Sequence, residues 1–169
     1  MSPLEPSAFI AHPLSTAKDL PSTERLVQQF RDAFAGRGWR VRPHRDDSVA
    51  ALNASLRTGG GASLVTRNIE GIVTSDLLLV IATEMDEPSS VWVEAGVALA
   101  RGVPLVVLTT PAVTLPFLVR AALASGADTT GGSLRRRPLA ASIPIPTMTT
   151  TTHQVQAVGD LVDSIIANH

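Results

Sequence analysis

Leu77-Leu78-Leu79-Val80-Ile81-Ala82 is an unbroken apolar run of strand length, and no other feature of the chain restricts its fold so strongly. A strand with one face in water alternates apolar and polar residues. Six consecutive apolar residues instead fit a central strand of a parallel sheet, covered on both faces. Such a sheet needs helices as crossovers, and the flanking sequence supplies them.

Ala8 to Ala11 reads as a first strand. A helix follows from about Ser22 to Ala35, with Leu26, Val27, Phe30 and Phe34 on one face and Gly36 and Gly38 closing it. Trp39 to Arg42 is a second strand, ended by Pro43. Residues 62–74 place Leu64, Val65, Ile69, Ile72 and Val73 at helical spacing before the central run. A helix over 90–101 leads through Gly102 to a strand over 104–108, whose proline stands at its start, where no ladder bond is lost. A helix near 115–123, a fifth strand over 140–145 and a closing amphipathic helix on Val155, Val158, Leu161, Val162, Ile165 and Ile166 complete the order. Alternating strands and helices with right-handed crossovers predict an α/β fold: a doubly wound, flavodoxin-like parallel sheet of five strands in order 2-1-3-4-5, with helices on both faces. The 169 residues, 44% of them hydrophobic, suit one domain over 1–169, with 1–7 and about 125–152 irregular.

Composition narrows the partners. Fourteen Lys plus Arg against 15 Asp plus Glu leave a net charge of −1, so nothing draws the chain to a polyanion, and a small molecule is the expected partner rather than nucleic acid. The absence of cysteine removes thiolate metal sites and disulfides, and His12, His153 and His169 have no metal-ligand spacing, so neither a metal nor a cofactor is expected. The N-terminus has no signal-peptide pattern and no apolar stretch reaches membrane-spanning length, which makes the cytoplasm the expected location and a membrane an unexpected partner.

In doubly wound sheets ligands bind at the carboxyl ends of the strands. The polar residues just after the first four strands are therefore the candidates: His12, Pro13 and Ser15; His44 and Arg45; Glu84 to Ser90; Thr109 and Thr110. Glu94 joins them, being the only charge between Val91 and Ala100 on a helix whose other side chains are all buriable. A carboxylate there calls for a reason. Reciprocal capping does not supply one, because that motif puts Glu three residues after a Ser or Thr N-cap, and Glu94 lies four after Ser90 and five after Ser89. The helix dipole is the structural alternative, worth about 0.3–1 kcal/mol. Gly96, in the interior of the same helix, suggests close approach by the sheet or a ligand.

These residues resemble a family. Ala8-Phe9-Ile10-Ala11-His12-Pro13-Leu14 is similar to the opening strand and turn of the nucleoside 2-deoxyribosyltransferase superfamily, which includes the nucleoside-monophosphate N-glycosidases. Ile72 to Ile81 resembles its helix-to-strand passage, and Val93-Glu94-Ala95-Gly96-Val97-Ala98 through Gly102-Val103-Pro104-Leu105 its glutamate helix and next strand. The likeness spans roughly Ala8 to Leu123. It implies that Glu94 attacks or stabilises the anomeric carbon as a base departs. The physical logic is general, since glycoside cleavage passes through an oxocarbenium-like state that a carboxylate lowers in energy or captures.

The resemblance also implies roles for other residues. His44 and Arg45 follow the second strand, where some nucleotide hydrolases carry a histidine for base recognition or leaving-group protonation; ordinary solvation is the alternative. Ser89 and Ser90 match a position that binds a 5′-phosphate, and helix capping accounts for them equally. His12 and Trp92 belong to the same expected substrate surface. Phe9 stands where transferases have a tyrosine that orients the glutamate; the chain has no tyrosine, which favours the monophosphate-hydrolase branch of CMP type, and plain core is the other reading of Phe9. The main departure is Asn68, where the family has an aspartate: an amide hydrogen-bonds but is not a base. Either Glu94 works alone or the pocket has outlived the reaction. Family members are commonly dimers, so a homo-oligomer is expected.

Other signals are weaker. Thr58-Gly59-Gly60-Gly61 lacks the Lys-Ser/Thr ending of a P-loop; Arg67 fits a phosphate partner or, more simply, a solvated helix surface, and Arg135-Arg136-Arg137, a short basic run that fits a phosphate, a partner or solvent, is left unassigned. Ser90-Val91-Trp92 invites comparison with TIR-type NAD-cleaving domains, but there the glutamate falls three residues after the tryptophan, and Glu94 falls two after Trp92. A non-catalytic nucleotide-binding module is the remaining alternative.

Overall fold

The computed structural model describes residues 5–14, 16–42, 54, 57–85, 89–110, 112–125, 140–144 and 159–160. His44, Arg45, the Arg135-Arg136-Arg137 run and nearly all of the expected closing helix lie outside the described residues. Strands β1 (Ser7–Ala11), β2 (Arg40–Arg42), β3 (Leu77–Ala82), β4 (Leu105–Thr109) and β5 (Ala140–Pro144) alternate with helices α1 (Leu20–Gly36), α2 (Gly61–Val73), α3 (Val91–Arg101) and α4 (Phe117–Ser125). The sheet order is β2-β1-β3-β4-β5, and every adjacent pair is parallel. This is the doubly wound parallel class that the alternation of elements predicts.

The apolar runs are explained by a core on each face. Ala8 and Ile10 of β1, Leu77, Leu79 and Ile81 of β3, and Val106 and Leu108 of β4 meet Leu26, Val27, Phe30 and Phe34 of α1. Their neighbours Phe9, Ala11, Leu78, Val80, Ala82, Leu105 and Val107 meet Val91, Ala95 and Ala98 of α3 and Ile72 of α2. Successive strand residues point to opposite faces, so a strand covered on both sides has no position for a polar side chain.

Local chemistry sets the element ends. Asp19 caps α1 by accepting from the Ser22 amide at 3.1 Å. Gly38, at φ 77°, turns the chain out of that helix, and Trp39 folds back to set its ring edge-on against Phe34 at 5.3 Å. Trp39 is thereby used in closing α1, and β2 starts one residue later than the apolar pattern predicts. Gly102, at φ 70°, ends α3, with the Val103 amide donating to the Ala98 carbonyl at 2.9 Å. α4 starts two residues later than expected, because a residue before proline is pushed out of helical geometry and Leu115 precedes Pro116. Beyond α1, Arg37 forms an ion pair with Asp160. No helix among the described residues is long and apolar enough to cross a membrane.

Candidate active site

Glu94 lies in the first turn of α3, the helix that leaves the carboxyl end of β3, and it is 8% exposed. Valine and alanine neighbours on the same helix bury the stripe that carries it: Val91, Ala95 and Ala98 face the sheet, and Glu94 sits beside them, turned towards α2. There Asn68 meets it. The Asn68 side-chain amide donates from Nδ2 to Glu94 Oε1 at 3.0 Å, joining residues 26 apart in the chain. An ionised carboxylate only accepts hydrogen bonds, and an amide nitrogen only donates, so the pair is matched without a proton to dispute. The partially positive start of α3 adds a favourable field for the anion.

Ser90 is the N-cap residue of α3 and its side chain makes no cap hydrogen bond; the Val93 and Glu94 amides donate instead to the Ser90 carbonyl, at 2.9 and 3.1 Å. Ser89 Oγ accepts from the Val91 amide at a long 3.4 Å. Both serines stand at the carboxyl edge with their helix, as the sequence predicts.

The other candidates divide. His12, directly after β1, is 6% exposed, buried at the sheet edge. Trp92 is half-buried against the core of the α3 face. Phe9 is 2% exposed and belongs to that core, so of its two readings the structure supports the packing one. It has a consequence that the sequence does not advertise: a Cβ on Gly71 of α2 would fall 2.6 Å from Phe9 Cε2. Gly71 thus lets α2 settle onto the Phe9 ring, one turn along the helix from Asn68. At Gly96 the structure corrects the expected approach of the sheet. A Cβ there would meet no described atom within 4 Å, because Gly96 is on the exposed side of α3 and not under it. Arg67 is exposed on α2.

A second group of polar residues gathers on the α1 face of the same edge. Thr83 and Thr110 directly follow β3 and β4 and are both buried. Thr110 figures among the edge residues read from the sequence; Thr83 does not, although a hydroxyl ending an unbroken apolar run is itself a signal.

No family model and no curated protein sequence matches the chain. Among solved structures, the chain is similar to a CMP N-glycosidase, BcmB, of Clostridium botulinum, with a TM-score of 0.55 and 14% sequence identity, over 90% of this chain and 98% of that one. At this identity the likeness shows a shared fold.

Proposed function

We propose that the protein is an N-glycosidase that releases the free base from a nucleoside or nucleoside 5′-monophosphate, with Glu94 acting at the anomeric carbon. The observation that carries this reading is the burial of Glu94 in a polar pair with Asn68, at the edge where doubly wound folds bind ligands. Burying a carboxylate against apolar neighbours opposes folding, and the Asn68 amide, drawn from another helix, is a partner that offsets part of that cost. Perturbed or buried ionisable groups at such edges mark functional sites. The fold shared with a CMP N-glycosidase agrees with the assignment.

In the reaction, the bond between C1′ and the base nitrogen breaks and its electron pair leaves with the base. Glu94 either stabilises the cation at C1′ or bonds to it and is then displaced. Water gives its hydroxyl to C1′ and its proton, in effect, to the base. A carboxylate has about four acceptor sites, so holding Oε1 by an amide leaves capacity for the sugar. Asn68 orients the carboxylate without taking protons. His44 retains the base-recognition or leaving-group role and Ser89 and Ser90 the 5′-phosphate role that the resemblance implies, His12, Arg45 and Trp92 are the further substrate-binding residues, and a homodimer is the proposed assembly.

Incubation with the common nucleosides and their 5′-monophosphates, read by chromatography for free base, tests the proposal. Release by the wild type and its loss in Glu94→Gln, with an unchanged circular dichroism spectrum, is the expected result. Turnover that survives the substitution refutes the mechanism. The Asn68 amide in place of a family aspartate favours one second reading, a nucleotide-binding module without catalysis; thermal stabilisation by a nucleotide with no base released would select it.

A further inference from the structure

The helix that brings Asn68 to Glu94 is fastened to the sheet at its C-terminal end. Arg42, the last residue of β2, donates from its guanidinium to the carbonyl of Thr74, the C-cap residue of α2, at 2.9 Å. Two residues on, Asp76 Oδ2 accepts from the amide and the hydroxyl of Ser7 on β1, at 2.8 and 3.0 Å, and the Asp76 amide donates to the Ser7 carbonyl at 2.9 Å. The turn that leaves α2 is thereby clamped to β1 and β2 before β3 begins.

Gly71 lies between this clamp and Asn68. A Cβ there would stand 2.6 Å from Phe9 Cε2 and 2.9 Å from Phe9 Cδ2. Carbon atoms pack at roughly 3.5–4.0 Å, so about 1 Å of separation is missing. The Phe9 ring is a rigid body, 2% exposed, in the core that β1 shares with β3 and α3, and a close-packed interior passes such a strain on rather than absorbing it. The helix has the room to move: Val65, Thr66, Arg67, Ile69 and Glu70 on its outer side are exposed.

The clamp turns that movement into a tilt. At about 1.5 Å of rise per residue, Gly71 stands about 4.5 Å along the axis from Thr74, and Asn68 about 9 Å. A helix held at Thr74 and lifted about 1 Å at Gly71 is therefore lifted about 2 Å at Asn68. Residues three apart share a helix face, so the lift at Gly71 is a lift at Asn68 in the same direction. The bond from Asn68 Nδ2 to Glu94 Oε1, 3.0 Å long, does not survive a displacement of that size.

We infer that Gly71 is a positioning residue: its missing side chain, set on Phe9 and levered from the Arg42 clamp, fixes the reach of Asn68 to Glu94. The inference rests on the proposed role of Glu94 for its effect on turnover, and its structural half is read without turnover. The Asn68 side-chain amide protons of the intact chain would be followed by NMR in the wild type, Gly71→Ala, Gly71→Ala with Phe9→Leu, Arg42→Met, and Val27→Ala, a control that loosens the core on the α1 face. In the wild type the proton given to Glu94 should resonate downfield of an unbonded amide. Gly71→Ala should move it to the unbonded position, Phe9→Leu added to Gly71→Ala should restore it, Arg42→Met should move it part of the way, and Val27→Ala should leave it unchanged. In a base-release assay Gly71→Ala should lower kcat about 10- to 100-fold with KM within about threefold of the wild type, since a carboxylate turned away from the anomeric carbon loses its effect in the transition state. The added Phe9→Leu should return most of that loss. Absence of base release in the wild type refutes the proposed activity separately, because the amide signals decide the positioning role by themselves. An Asn68 signal that ignores Gly71→Ala, follows Val27→Ala as strongly, or is not restored by Phe9→Leu overturns the inference; should Gly71→Ala fail to fold, an Asn68 signal indifferent to Arg42→Met overturns it.

Discussion

Two carboxylates begin two helices on opposite faces of one sheet, and they differ in what surrounds them. Asp19 stands exposed ahead of α1, accepts from the Ser22 amide, and is explained by capping alone. Glu94 stands in the first turn of α3, buried, and is held from another helix by Asn68. Both benefit from a helix start. The first makes the local hydrogen bond by which an acidic residue ordinarily helps a helix begin, and the second is joined to a residue 26 positions away. A residue type at a helix terminus therefore says little until its partner is known: a partner three residues away marks architecture, and one drawn from a distant helix into an apolar layer marks a site.

The contrast is broken most directly by truncating both. Glu94→Ala should lower base release by at least about 10²–10³-fold, the usual scale for removing one electrostatic element of an active site, while Asp19→Ala retains turnover. Equal losses in kcat would erase the distinction. Asn68→Asp comes next. A second carboxylate 3.0 Å from Glu94 Oε1 brings like charges into contact, and turnover at neutral pH should fall about 10-fold or more, recovering in part under mildly acidic assay conditions as the pair takes up a proton. A gain in neutral turnover would show instead that the chain has lost an aspartate it needs.

Gly71→Ala tests how α2 is brought to α3. The added methyl meets the Phe9 ring, and a melting curve should show destabilisation of about 1–3 kcal/mol, relieved when Phe9→Leu is introduced with it. Additive losses would mean that the two residues do not share the space. Gly96→Ala should do the opposite and stabilise by about 0.5–1 kcal/mol, since the new methyl points away from the described atoms of the fold.

The smallest effect is expected at Asp19. Its side-chain and backbone hydrogen bonds with Ser22 hold the carboxyl below its ordinary value of 3.8. As pH falls, the unfolded chain takes up that proton first, so the stabilisation is complete above 3.8 and is lost as pH falls further, through the folded-state value. The melting-temperature gap between wild type and Asp19→Ala should accordingly be present at pH 7 and close in strong acid. A gap unchanged by acid would separate Asp19 from the capping role.

Much of this was legible in one dimension. Leu77–Ala82 announces a strand covered on both faces, Leu26, Val27, Phe30 and Phe34 announce the inner side of α1, and a lone charge between Val91 and Ala100 singles out Glu94. The errors fall where a local rule had a competitor. Gly96 reads as a close approach by the sheet or a ligand because glycine is costly in a helix, yet the close approach to the sheet is at Gly71, equally placed in a helical run; only the rotation of each helix about its axis tells which glycine faces a ring. Phe9 had two readings because its position in the strand does not reveal what α2 lays over it.

Periodicity and punctuation belong to the chain, so the sequence by itself determined the order of elements, the doubly wound parallel class and the isolation of Glu94 among apolar neighbours. The pairing of Asn68 with Glu94, the seating of Gly71 on Phe9, and the separation of Thr83 and Thr110 from Glu94 by the thickness of a sheet were decided by tertiary structure. Each depends on distances between side chains of different elements, fixed by how far every helix is turned and how deeply it sinks onto the strands. Those quantities emerge from packing the whole core at once, and no single stretch of sequence contains them.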